Sequence, residues 1–94
     1  MNRSNTDFHK AVLDSMHEIY IKKNADYGNS FEDQFREYGI LSSIIRLDDK
    51  MKRLKQLSVN EAKVKDESIA DTLLDLANYA VMTVMALEKH QKLE

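Results

Sequence analysis

The chain has no cysteine, no proline, no tryptophan and only two glycines among its 94 residues. Each shortage excludes something. Without cysteine there is no disulfide framework, so a small stapled secreted module is ruled out and a cytoplasmic address is expected. An all-β fold needs turn residues every ~8–12 positions, and two glycines without proline cannot supply them. The same scarcity of small residues excludes collagenous and small-residue solenoid architectures. No charge of one sign dominates: 14 Lys and Arg stand against 16 Asp and Glu, for a net charge of −2. That is not the basic field of a duplex-binding protein, and nothing in it attracts an anionic membrane. Neither duplex nucleic acid nor membrane is therefore expected as a partner. The residues Met1 to Asp7 are polar and carry no signal-peptide run.

One long apolar stretch exists, Ile69 to Leu87, about long enough to span a bilayer. It is interrupted by Asp71, Asp75 and Asn78, and one central Asp costs roughly 2.5–3.5 kcal/mol in hydrocarbon. The stretch therefore reads as a helix buried on most sides within the protein. What remains is a single all-α domain over residues 1–94, a small bundle of three long helices plus one short one. A chain of this length buries only about 60–70 % of its unfolded surface, so a homodimer or homotetramer is expected.

Apolar periodicity and turn chemistry place the helices. The first runs from Asp7 to Lys23, capped by Asn5 or Thr6, with Phe8, Val12, Met16 and Ile19 on its inner side. Asn24 to Ser30 is a turn-rich break, and Ser30 with Asp33 forms a variant capping box. A short helix, Phe31 to Tyr38, stops at Gly39. The next runs from Ile40 to Leu57. Its inner stripe is Ile40, Ile44, Leu47, Met51 and Leu54, widened by Leu41 and Ile45, and its other side carries Ser42, Arg46, Asp49, Lys50 and Arg53. Ser58 to Lys65 reads as a loop. Asp66 caps a last helix from Glu67 to His90.

The last helix carries the chemistry. Glu67, Asp71, Asp75 and Asn78 recur at intervals of four, four and three, within a stripe about 80° wide on an otherwise apolar helix. Buried charge must meet partners, water or metal. Hard oxygen ligands at one-turn spacing suit Mg²⁺, while an ion-pair stripe meeting Arg46 or Arg53 gives the same pattern. Asp49 can join the carboxylates if the two long helices are antiparallel. Arg46, Lys50 and Arg53 can then meet phosphate oxygens, Arg as a fork and Lys as a point charge. Alternatively those charges pair along their own helix and solvate its face.

In the turn, Gly28 precedes a helix N-terminus that can offer N–H groups to an anion, though a plain connection explains one glycine equally well. Tyr27, Phe31, Phe35 and Tyr38 follow at helical spacing. Phe31 and Phe35 are assigned to packing, and Tyr27 to ligand contact by stacking. His9, His17 and His90 form no metal spacing and are expected at the surface. Ser42 and Ser43 have no base nearby, so a nucleophilic hydrolase is not supported.

Three blocks in order carry a resemblance: Lys23-Asn24-Ala25-Asp26-Tyr27-Gly28-Asn29-Ser30-Phe31, then Arg46 to Leu54, then Asp66 to Ala80. Together they resemble the first nucleotide-modification-associated domain family, small helical proteins of bacteriophages and bacteria. That family is in turn similar to the MazG-like all-α nucleoside triphosphate pyrophosphohydrolases and the all-α dUTPases. The resemblance implies a MazG-like bundle that binds Mg²⁺ through two acidic blocks and cleaves a nucleotide between its α and β phosphates. Carried onto this chain, the metal ligands are Asp49, Glu67, Asp71 and Asp75, of which Asp49, Asp71 and Asp75 are catalytic. Lys23, Arg46, Lys50 and Arg53 contact phosphates, Asn78 orients the ligand, and Tyr27 stacks on the base. The chain departs from the enzymes at both blocks. Asp71 and Asp75 are spaced i,i+4 rather than i,i+3, and Arg46-x-x-Asp49 replaces two glutamates. The departure bears on catalysis more than on nucleotide binding. The other expectation is a non-catalytic helical accessory or regulatory protein acting by protein–protein association.

Overall fold

The computed structural model describes the backbone of residues 4–27, 29–59 and 66–92. They form four helices: α1 (Asn5–Tyr27), α2 (Ser30–Tyr38), α3 (Ile40–Val59) and α4 (Asp66–Lys92). Their lengths are 23, 9, 20 and 27 residues. The all-α reading holds, and no strand occurs among the described residues.

The helix ends depart from the expected ones for local reasons. Ser4, not Asn5 or Thr6, caps α1: its Oγ accepts from the Asp7 N–H at 3.1 Å. At the other end α1 runs through Asn24, Ala25 and Asp26, because none of these breaks a helix without a glycine or proline. Gly28 lies outside the described residues. The Ser30–Asp33 capping box does not form. Asn29 occupies the cap without a side-chain bond, and Asp33 pairs instead with Arg36 one turn on. Gly39 ends α2 with φ 72° and ψ −157°, a region essentially reserved for glycine. Its N–H returns to the Phe35 carbonyl at 2.7 Å, and its own carbonyl accepts from Ser42 Oγ at 2.9 Å, which starts α3. Helix α3 continues through Ser58 and Val59; residues 60–65 of the expected loop lie outside the described residues.

Helices α3 and α4 pack along each other, with Lys50 beside Asp75 and Arg46 beside Tyr79, so they run antiparallel. Antiparallel α1 crosses the same side of α4, joined through Lys23 to Asp75 and through Met16 to Asn78. Helix α2 lies against the later half of α4. There Phe31 and Phe35 are buried with Ala86, against Tyr79 and Met82, which confirms both as packing residues. Tyr38, at the end of that aromatic series, is exposed. His9 and His17 are exposed as expected. His90 is not: it is half-buried and stacks on Phe35 with ring centroids 5.6 Å apart.

Two expected inner faces are turned outward. On α3, Ile40, Leu41, Ile44, Ile45 and Met51 are exposed, whereas Ser42, Ser43 and Leu57 are buried and Arg46, Leu47, Lys50 and Leu54 half-buried. The α3–α4 seam uses small polar residues, Ser43 on one side and Thr72 and Thr83 on the other, all buried. Small side chains let two helix backbones approach, and the bulkier branched ones are left outside. Nor is α4 buried on most sides. Leu73, Val81, Val84 and Leu87 are exposed, because α3 covers one flank, α1 and α2 the next, and no described residue the third. Ile69–His90 is long and apolar enough to cross a membrane by length and composition, and 17 % of its most apolar window is buried. On α1, Phe8, Val12 and Leu13 are likewise exposed, and Met16 is buried.

Candidate functional site

Where α1, α2, α3 and α4 converge they leave a cavity of about 280 Å³. This is near the lower edge of the ~300–1,000 Å³ typical of small-molecule sites. Each helix contributes for a reason already visible in its local structure. The extension of α1 beyond Lys23 keeps Lys23 and Asn24 on a regular helix, one turn from Tyr20. The corner at Gly39 sets α2 so that Phe31 forms one wall. The small-residue seam brings Arg46 and Lys50 of α3 level with Asp75, Asn78 and Tyr79 of α4.

The centre of the site is Asp75, whose side chain is 20 % exposed. One carboxylate oxygen accepts from Lys23 Nζ at 2.7 Å, the other from Lys50 Nζ at 3.3 Å. The Arg46 guanidinium lies over two rings at once, 5.4 Å from the Phe31 centroid and 5.5 Å from that of Tyr79. Those rings stack on each other at 6.1 Å, and Lys50 Nζ lies 6.0 Å from the Tyr79 centroid. Arg46 also donates to Gln34 Oε1. A guanidinium held this way is fixed in orientation by cation–π attraction and a hydrogen bond together. The Asn78 amide donates to the Met16 carbonyl at 3.1 Å, tying α1 to α4 at the cavity floor. Among the described residues the ionised groups lining the cavity are three cations and one carboxylate, on a chain whose net charge is negative. A smaller groove of about 90 Å³ adjoins it, sharing Tyr20, Asn24, Phe31 and Met82 and bounded by the Lys89–Glu32 ion pair at 3.1 Å.

Of the residues singled out from the sequence, the structure brings Lys23, Arg46, Lys50, Asp75 and Asn78 together around this cavity. Asp49, Arg53 and Asp71 do not line it and are exposed. The side chains of Tyr27 and Glu67 lie outside the described residues. The acidic stripe meets cations, but through Lys23 and Lys50 rather than Arg46 or Arg53. Helix α1 half-buries Asp75 and Asn78 within one chain. Among the described residues no three His, Asp or Glu side chains form a group able to hold a metal. Among the described residues the carboxylate in the cavity, Asp75, is bracketed by two ammonium groups, which by themselves offer no donor set for a resident Mg²⁺. Lys52 lies elsewhere on α3, where the hydrogen bond and charge of Asp48 raise its pKa.

Tyr20, Tyr79 and Met82 also line the cavity and were not singled out from the sequence. Tyr79 and Met82 had a signal: they follow Asp75 at i+4 and i+7 and so share its face. Tyr20 precedes Lys23 by three and shares its face in the same way.

Neither the curated proteins nor the solved structures contain a match to this chain. A family model does match, over residues 23–87, the segment that contains every cavity-lining residue except Tyr20. The chain belongs to the family described as nucleotide modification associated domain 1.

Proposed function

We propose that this protein binds a nucleotide or nucleoside triphosphate in the four-helix cavity, as a homo-oligomer in the cytoplasm. The observation that carries the reading is the charge arrangement around Asp75. Two lysines share one carboxylate, with a ring-stacked guanidinium beside them, which leaves net positive charge among the described groups of a partly open, partly aromatic pocket. Phosphate oxygens meet Lys23, Lys50 and Arg46 through charge-assisted hydrogen bonds. The flat rings of Tyr79 and Tyr20 offer a surface to the base, and Asn78 borders the sugar. Mg²⁺ enters on the triphosphate as its counter-ion rather than as a group resident in the protein.

Pyrophosphate-releasing hydrolysis on a MazG-like bundle is the finer form of the proposal. It assigns activity to Asp49, Asp71 and Asp75 with Glu67. A second reading, a non-catalytic accessory protein that works by association, is favoured by the exposed apolar faces of α3 and α4.

Calorimetric titration with mono-, di- and triphosphates of the common nucleosides, with and without Mg²⁺, tests the binding. Affinity rising with phosphate number and lost in Lys50→Ala supports it; no heat with any nucleotide overturns it. Pyrophosphate release, abolished by Asp71→Asn at unchanged helicity, supports the hydrolytic form. Binding without release leaves a binder, and loss of fold in Asp71→Asn assigns that residue to structure.

A further inference from the structure

The unpartnered face of α4 has a pattern of its own. Ala70, Leu73, Ala77, Ala80, Val84 and Leu87 follow one another at intervals of three, four, three, four and three. That is the spacing of the a and d positions of a coiled coil. Five of the six are exposed and Ala77 is half-buried. The seam extends about 26 Å at 1.5 Å per residue, with no charged residue in it. By helical geometry it lies about 180° around α4 from Asp75.

We infer that this seam pairs with the same seam of a second copy, antiparallel, across a two-fold axis at Ala77 and Ala80. In that register all six residues of the seam are paired. Ala70 of one copy meets Leu87 of the other, Leu73 meets Val84, and Ala77 meets Ala80, so a small residue faces a large one at each end, two larger ones pair next to it, and small ones meet at the waist. Two straight helices crossing there come close at the alanines and diverge where leucines fill the gap. A parallel pair would stack like on like, Ala70 on Ala70 at one end and Leu87 on Leu87 at the other, so its two ends would differ in width. Antiparallel pairing also sets the two helix dipoles head to tail.

The surface area agrees. The chain exposes 7529 Å², against about 5,600 Å² for a compact monomer of 10.9 kDa. Its radius of gyration is 15.5 Å, against about 12 Å. The excess is more than the ~800 Å² per partner that a standard dimer contact removes. The outer face of α3 is a weaker candidate, since the Asp48–Lys52 ion pair interrupts it. A bilayer is the wrong occupant, because the other side of the same helix carries exposed Asp71 and the Asp75 ion pairs.

The inference deepens the self-association proposed above and is independent of nucleotide binding, because the cavity opens on the opposite side of α4. The test is sedimentation equilibrium of the full chain with Leu73→Glu and Val84→Lys variants, each checked for helicity. Expected are a dimer for the parent, at least a 100-fold weaker association for each variant alone, and a heterodimer when the two variants are mixed. Since the chain lacks cysteine, Leu73→Cys and Val84→Cys add a second reading even if the charged variants fail to fold. Oxidised mixtures should give a mixed disulfide, and Leu73→Cys alone no covalent dimer. A monomeric parent overturns self-association itself. An oligomer indifferent to both charges, a covalent Leu73→Cys homodimer, or flotation of the parent with phospholipid vesicles overturns the antiparallel seam. Nucleotide affinity measured on the same variants should not change.

Discussion

The two sides of α4 are opposites. The side turned inward carries a carboxylate, an amide and two threonines, and Asp75, Asn78 and Thr83 have hydrogen-bond partners there. The side turned outward carries leucines, valines and alanines, and none of the described residues covers it. The inner side also holds the apolar Tyr79, Met82 and Ala86, so what departs from an ordinary amphipathic helix is the uncovered apolar side. Polar groups enclosed at this cost are kept where they have work to do, and apolar ones left open at this length are kept where something else covers them. In the two proposals above, one helix is the floor of a ligand site and also a contact surface, on opposite flanks that do not compete.

Substitutions on the two sides should accordingly differ in kind. The largest effect belongs inside. Phe35→Ala removes a buried ring from the α2–α4 contact, and a loss of about 3–5 kcal/mol in urea unfolding is expected. Gly39→Ala comes next. No atom lies within 4 Å of an added Cβ, so the cost is purely backbone strain at φ 72°, about 1–3 kcal/mol, and cavity binding should weaken because the corner positions Phe31. Asp75→Asn is more discriminating. It should lower stability by about 1 kcal/mol, the figure being small because Lys23 is half exposed and solvent screens the pair. At the same time it should tighten binding of inorganic triphosphate, since the carboxylate no longer competes for the two lysines. Weaker triphosphate binding would instead make Asp75 a ligand for a cation. Smallest is Leu73→Gln on the outer side, where stability of the dilute monomer should stay within about 0.5 kcal/mol while association falls.

Much of this was legible in the residues, and the rest was hidden for identifiable reasons. The four helices follow from periodicity and from Gly39. The spacing of Arg46 with Lys50 and of Asp75 with Asn78 puts each pair on one helix face, and with Lys23 those faces line the cavity. Rotation of the helices was not legible. Periodicity says that α3 has an apolar stripe, but not whether Ile44 or Ser43 faces α4. That choice depends on how closely backbones approach, and Ser43, Thr72 and Thr83 decide it only when seen together. The stripe of Asp71 and Asp75 looked like one cluster because the helix aligns them. In space, α1 reaches Asp75 and leaves Asp71 in solvent.

The attachment of α1 has a consequence for rates. Near its middle it is held by buried Met16 and the Asn78 amide, and near its end by Lys23 on Asp75, while Phe8, Val12 and Leu13 stay exposed. Segments with so few buried apolar contacts open sub-globally, at free energies below that of complete unfolding. Amide hydrogens of α1 should therefore exchange ahead of those of α3 and α4, with the first two turns fastest of all. An anion that joins Lys23 to Lys50 bridges that helix to the rest of the bundle, so its arrival should be recorded as slowed exchange along the whole of α1.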